Sequence, residues 1–213
     1  MKLYVSDPLT LIFSPERLRL QGLAVALVTV LSLGCASVVY THGVPNLRQV
    51  RDGWYRSGQV EDPEGWAYLR SIGITDVLKL DFAGSEGSDD GAVSAGLRLH
   101  YLPINPTTSI ARAVASLGLT ELLRPDSATM ASIRHLIREI RDDNASSGHP
   151  GRVMLIHCSH GWDRTGLVSG MVLVLNGDMG KEAAYQYMLA TGFHWEHVGL
   201  WREWRVFVER ERW

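Results

Sequence analysis

Cysteine is scarce in this chain: its 213 residues contain two, Cys35 and Cys158. They lie in segments of unlike character, which excludes a disulfide framework and leaves each thiol to be explained on its own. A surplus of either charge is missing too. Lys and Arg number 21 against 23 Asp and Glu, a formal net charge of -2. No basic field is available to hold a nucleic-acid backbone, so nucleic acid is not expected as a partner. Beyond Tyr40 there is no internal repeat, no low-complexity tract and no Pro/Gly/Ser stretch long enough to separate one domain from another. What is present is a chain that is 46% hydrophobic, enough for one core. The sequence divides into a distinct segment, residues 1–42, and one domain, residues 43–213.

The first segment is marked by the run from Gly22 to Tyr40, which carries no charge. A helix needs roughly 17 to 25 apolar residues to cross a bilayer core, and a soluble helix of that length would show a polar stripe that this run lacks. Arg17 and Arg19 precede the run and His42 and Gly43 follow it, which predicts a cytoplasmic N-terminus and an extracytoplasmic domain on a membrane anchor. Arg48 and Arg51, soon after, pull the other way. Three readings stand in order: a retained hydrophobic helix, a lipoprotein-type signal with Gly34 before Cys35, and a cleaved secretory signal.

In the remainder, short apolar runs alternate with helical patterns. Strands are expected at residues 53–56, 74–80, 98–102 and 152–157. Helices are expected at 63–71, 128–141, 167–175, 181–189 and 198–209. Gly73 is a plausible helix stop. In the second helix Met130, Ile133, Leu136, Ile137 and Ile140 recur at three and four residues. The alternation indicates an α/β domain with a central, mostly parallel sheet flanked by helices.

Cys158 and Arg164 stand six positions apart, between a buried strand and a helix. The pair alone is weak evidence, but its setting is specific. A strand-to-helix turn can aim successive backbone N–H groups and a helix N-terminus into one concavity, which suits a phosphate dianion. Arg164 can add a bidentate clamp, and the same positive field favours the Cys158 thiolate. No lysine occupies the place that a nucleotide-binding glycine-rich loop requires. A metal site from His157, Cys158 and His160 is disfavoured because neighbours at a strand end point apart, so neither metal nor cofactor is expected. A merely structural buried thiol leaves Gly161 and Arg164 unexplained.

The string His157-Cys158-Ser159-His160-Gly161-Trp162-Asp163-Arg164-Thr165-Gly166 resembles the H-C-x5-R-[ST]-G signature of the protein tyrosine and dual-specificity phosphatase superfamily. Its Cys-Ser-x-Gly-Trp-Asp-Arg-Thr core is similar to that of the myotubularin phosphoinositide phosphatases. Residues 46–50, 54–59 and 73–78 resemble the opening segment of small dual-specificity-like phosphatases, so the resemblance spans about Gly43 to Val208. It implies a tyrosine-phosphatase-like fold and a phosphocysteine mechanism with Cys158 as nucleophile and Arg164 as clamp. Ser159, His160, Gly161, Trp162 and Thr165 would line the substrate. Thr165 would either assist the departing sulfur or cap backbone N–H groups.

Two aspartates compete as the acid that protonates the leaving group. Asp126, in Arg124-Pro125-Asp126, resembles the acid of the Trp-Pro-Asp loop, but it could equally cap the helix near Ala128. Asp163 matches the candidate acid of the myotubularin loop, but it could equally orient loop groups. Asp81, Glu86, Asp89 and Asp90 read as a solvated loop. His157 either holds the loop by a hydrogen bond or is an ordinary satisfied histidine. Trp201, Trp204, Phe207 and Val208 share a helix face that reads as core. The expected substrate is a phosphotyrosine-bearing protein, with phosphoserine or phosphothreonine in addition. A phosphoinositide is the alternative, suggested by Trp162-Asp163 and weakened by the absence of lysine from the loop. A silent phosphate-binding module is the third reading, and intact Cys158 and Arg164 count against it.

Overall fold

The computed structural model describes residues 38–82, 88–104, 127–147 and 151–211. The chain divides into two compact units, residues 1–37 and 38–213, and the second contains all the described residues. Its elements are β1 (Tyr40–Thr41), β2 (Val44–Pro45), β3 (Arg48–Arg51), β4 (Trp54–Ser57), α1 (Pro63–Ser71), β5 (Asp76–Lys79), α2 (Asp90–Ser94), β6 (Arg98–Tyr101), α3 (Ser127–Ser147), β7 (Met154–His157), α4 (Asp163–Leu175), α5 (Lys181–Ala190) and α6 (Val198–Arg210).

Five strands form one sheet in the order β3-β4-β7-β5-β6. β7 lies at its centre, parallel to both β4 and β5, with His157 in register with Ser57 on one side and Lys79 on the other. All four β7 residues are buried, as a strand covered on both faces requires. Side chains alternate across the sheet. Leu78, Met154 and Ile156 face a core built with Ile133, Ile137 and Ile140 of α3, the apolar length of α4, and Trp204 and Phe207 of α6. Val77 and Leu155 face a second core with Trp66 and Leu69 of α1 and Ala92 of α2. The result is an α/β sandwich of three layers, mostly parallel as expected, with an antiparallel edge at β3.

α4 is buried at every residue from Thr165 to Leu175, the mark of a helix that is apolar on all sides and enclosed by neighbours. α3 runs to Ser147, beyond the expected end at residue 141. Asn144 explains the extension: its side chain donates to the Arg152 carbonyl at 3.0 Å and accepts the Arg152 N–H at 3.1 Å, tying the helix end to the start of β7. On α6, Trp204 and Phe207 are buried and Trp201 and Val208 pack partly covered against them, in keeping with the reading of that face as core.

The uncharged run before residue 38 lies outside the described residues, as does Cys35. Of the run's residues, 38–40 are described, and they are not helical. Val38 and Val39 are exposed and lead into β1, which pairs with β2 as a short antiparallel hairpin. Among the described residues no helix is long and apolar enough to cross a membrane.

At the N-terminal ends of the central strands, Asp76 is fully buried. It accepts from Thr75 Oγ1 at 2.8 Å and Arg152 Nη2 at 3.1 Å, and it faces His100 Nε2 at 2.7 Å. One carboxylate thus joins β5, β6 and the segment entering β7. Burial alone pushes this carboxyl up, but hydrogen bonds from His100, Thr75 and Arg152, with the Arg152 charge, outweigh it and hold it well below the usual carboxylate range. Its folded pKa is therefore below the unfolded value of about 3.9, and the unfolded chain binds more protons between the two. The stabilisation is fully present above that unfolded value and is lost as the pH falls through the folded one. Asp76→Ala is expected to cost on the order of 3 kcal/mol at neutral pH, the low end for breaking a buried pair, because Arg152 keeps Glu139 at 2.6 Å. Urea unfolding would show it as a lower midpoint at unchanged slope, and a midpoint unmoved at pH 7 would contradict it.

Candidate active site

The loop 158–162 leaves the carboxyl end of the central strand and feeds the first turn of α4, the position where open α/β sheets bind ligands. Cys158 sits at its base, 3% exposed and unpaired. The next three carbonyls are each bound from outside. Ser159 O accepts the Gln59 N–H at 2.9 Å. His160 O accepts Asn46 Nδ2 at 3.0 Å, and Gly161 O accepts Arg56 Nη2 at 2.5 Å. In a trans peptide the N–H points opposite to the carbonyl. Anchoring these oxygens outward therefore turns the N–H groups of His160, Gly161 and Trp162 toward the other side, as an anion cradle needs.

The sequence makes this possible at Gly161. Its φ is +74°, and an added Cβ would stand 2.5 Å from Ser57 C and O and 2.6 Å from Gly58 N. Only glycine combines that dihedral with so close a backbone approach. The supporting Arg56 lies on β4, 2% exposed, and also donates to Thr191 Oγ1 at 2.5 Å and Thr191 O at 3.0 Å. Burial pushes its guanidinium below its ordinary value, with nearby Tyr187 and Cys158 acting the other way. An arginine nevertheless keeps its charge, so it adds positive field beneath the loop. Asn46 comes from the turn after β2, in the left-handed region at φ 54°, which asparagine tolerates. The short N-terminal hairpin thereby delivers a brace to the loop.

Arg164, in the first turn of α4, is itself held. Its Nε donates to Ile104 O at 3.1 Å and its Nη1 to the Asp81 carboxylate. Asp81 is fully buried at the carboxyl end of β5. Asp89 is buried as well, facing His157 Nε2 at 3.1 Å, Lys79 Nζ at 3.4 Å and Gln59 Nε2 at 2.7 Å. The expectation of a solvated acidic loop is thus corrected at Asp81 and Asp89, whose cationic and amide partners compensate their burial. Asp90 opens α2, and Glu86 lies outside the described residues. Burial pushes the Asp89 carboxyl up, but His157, Gln59 and Lys79 outweigh it and leave it lowered. His157 therefore carries a defined hydrogen bond directly before Cys158.

The remaining expected site residues are distributed as follows. Ser159 Oγ lies 2.8 Å from His160 Nδ1 at the exposed rim. Trp162, the residue before α4, packs between the His160 and His194 rings at centroid distances of 5.5 and 5.8 Å. Thr165 is fully buried, and its Oγ1 has no hydrogen-bond partner among the described residues. Asp163 Oδ1 accepts the His194 N–H at 2.7 Å and faces His194 Nδ1 at 3.0 Å, while Oδ2 lies 3.4 Å from His197 Nε2. Asp126 lies outside the described residues. Cys158 at the base of the loop and Asp163 and Arg164 in the first turn of α4 thus lie on one short stretch of chain.

The sequence pattern of the tyrosine phosphatase family matches residues 41–204. The chain belongs to that family. No curated protein matches it by sequence, but solved structures share its fold. Tk-PTP in its active form is similar at 15% identity and TM-score 0.55, covering 78% of this chain and 98% of its own. P. aeruginosa TpbA is similar at 18% identity and TM-score 0.55, covering 82% and 92%. A complex of TpbA with pTyr matches at TM-score 0.51, covering 84% and 91% at 18% identity. Human DUSP28 is similar at 13% identity and TM-score 0.52, covering 82% and 97%.

Within this tyrosine phosphatase, sequence reading missed Asn46, Arg56, Lys79, Asp81, Asp89 and Thr191 as supports of the loop. A usable signal existed for Lys79 and Asp81: charged residues at the carboxyl end of a parallel strand sit where such sheets bind ligands. Gly161→Ala is expected to leave the fold in place and lower kcat/KM for an aromatic phosphomonoester by about 100-fold or more, the scale of losing one preorganised anion donor. Turnover within a factor of about two of wild type, with circular dichroism unchanged, would show that the bound-back loop is not required.

Proposed function

We propose that this member of the tyrosine phosphatase family hydrolyses phosphotyrosine in proteins through a phosphocysteine formed on Cys158. The observation that carries the reading is the buried thiol at the base of a loop whose carbonyls are tied outward and which runs into an arginine fixed by a buried carboxylate. The Cys158 thiolate attacks phosphorus and the ester P–O bond breaks. The departing oxygen takes a proton from a carboxylic acid. Water then displaces the sulfur from phosphorus and releases inorganic phosphate, with the resulting carboxylate taking the water's proton. The cradle of N–H groups and Arg164 offset the charge on the phosphoryl oxygens in both steps.

We assign the proton to Asp126, because the Asp163 carboxylate is already engaged by the His194 N–H and two imidazoles. Ser159, His160, Gly161, Trp162 and Thr165 complete the pocket in this reading. The complex of TpbA with pTyr supports the choice of phosphotyrosine. A phosphoinositide is the second reading, favoured only by the Trp162-Asp163 pair.

The test is phosphate release by the full chain from phosphotyrosine peptides, phosphoserine peptides and inositol phosphates. Phosphotyrosine turnover that disappears in Cys158→Ser is expected. Release from inositol phosphates alone would move the assignment to the second reading, and release from no substrate would leave a binding module. With a poor leaving group, Asp126→Asn should lower kcat about 10²- to 10⁴-fold, the usual contribution of a positioned acid, and Asp163→Asn much less. The reverse ranking would transfer the role to Asp163.

We further propose that the uncharged run starting at Gly22 anchors the enzyme in a membrane with the catalytic domain outside the cytoplasm. A membrane-bound chain of full intact mass, cleaved by protease added to sealed spheroplasts, is expected. A protein lacking residues 1–34 would contradict the retained anchor.

A further inference from the structure

Asp163, His194 and His197 are more closely gathered than holding a carboxylate in place requires. One imidazole beside the His194 N–H would fix Asp163. Here two imidazoles, three positions apart on the segment joining α5 to α6, converge on the same carboxylate from the first turn of α4. His194 Nδ1 stands 3.0 Å from Oδ1 and His197 Nε2 stands 3.4 Å from Oδ2. One nitrogen or oxygen from each residue can be chosen so that no two are more than 4.8 Å apart.

Around a tetrahedral zinc ion, with bonds of about 2.0 to 2.2 Å, neighbouring donor atoms are separated by roughly 3.3 to 3.6 Å. Each imidazole approaches its own carboxylate oxygen near that edge length, His194 at Oδ1 and His197 at Oδ2. The His194 and His197 side chains, 48% and 35% exposed, have room to turn toward a common centre. The Asp163 carboxylate, 21% exposed, is oriented by the His194 N–H. Two imidazoles and one carboxylate are a donor set that suits zinc-class ions and not the hard, all-oxygen preference of Mg²⁺ or Ca²⁺.

We propose that Asp163, His194 and His197 form a binding site for a zinc-class divalent cation on the flank of the phosphate loop. The three residues leave a fourth position for water, and exposure of the histidines gives the ion a path from solvent. Bound there, the ion bridges the α5–α6 connection to the start of α4, one residue before Arg164, and occupies the carboxylate of Asp163. The site is separate from the thiolate chemistry at Cys158 and its occupancy does not depend on the identity of the substrate.

The experiment is competition for Zn²⁺ between the metal-stripped full chain and a chromophoric chelator, read by absorbance and not by turnover. One Zn²⁺ per chain is expected for wild type, for Cys158→Ser and for His135→Ala, a histidine exposed on α3. Affinity should fall about tenfold or more in His194→Ala and in His197→Ala, and millimolar Mg²⁺ should not displace the metal. Since His197 stands at the start of α6, the exposed His194 supplies a variant whose fold is not at stake. Zinc binding lost in Cys158→Ser would place the ion on the thiolate and overturn the proposal. Unchanged affinity in both histidine variants, or no binding by wild type, would overturn it as well and leave the cluster as a hydrogen-bonded clasp.

Discussion

The cysteine loop rests on how three peptide groups are oriented. Each amide between Ser159 and Trp162 has its oxygen held from outside, by the backbone of Gln59, the side chain of Asn46 and the guanidinium of Arg56. Because a planar trans peptide cannot turn its oxygen one way without turning its N–H the other, these bonds fix the direction of the groups that would meet phosphate. Without them the loop would have to order itself when substrate arrives, and binding energy would be spent on that ordering. Burial of Arg56 is costly in isolation, but its bonds to Gly161 and Thr191 supply acceptors for the charged group.

A second set of buried charges supports the site from the neighbouring strand and the segment before α2. Asp81 holds Arg164, while Asp89 gathers His157, Lys79 and Gln59. These groups converge near the carboxyl ends of β4, β5 and β7, whereas Asp76 joins the opposite ends of β5 and β6 to the lead-in of β7. The sheet thus has an apolar middle and ends at which buried charges are paired. The carboxyl end carries the cysteine loop, and the opposite end ties together the strands beneath it.

What could be read from the sequence was whatever is local. Cys158 and Arg164 are near neighbours on the chain, β7 is a continuous apolar run, and α1 begins at Pro63 and ends at Ser71 as its pattern predicts. What could not be read acts over long separations. Arg56 meets a carbonyl 105 residues away, Asn46 one 114 away, and Asp81 an arginine 83 away. In the sequence, Asp81 and Asp89 sit among glycines, serines and other acids, a composition that resembles a solvated loop. Only the sheet shows that Lys79, His157 and Arg164 await them. β3 went unread because Arg-Gln-Val-Arg has no apolar alternation, as befits an edge strand with little to bury.

The brace at Arg56 also joins two places that the chain keeps far apart. The same guanidinium that positions Gly161 grips Thr191 at the end of α5, and Gly192 lies against Trp162 at the loop rim. A homologue could therefore retain every letter of the cysteine–arginine signature and still be catalytically dead, if drift in residues 190–197 had loosened the scaffold beneath it. Distinguishing working enzymes from lapsed ones in this family would then depend as much on an arginine in the second strand of the sheet as on the cysteine itself.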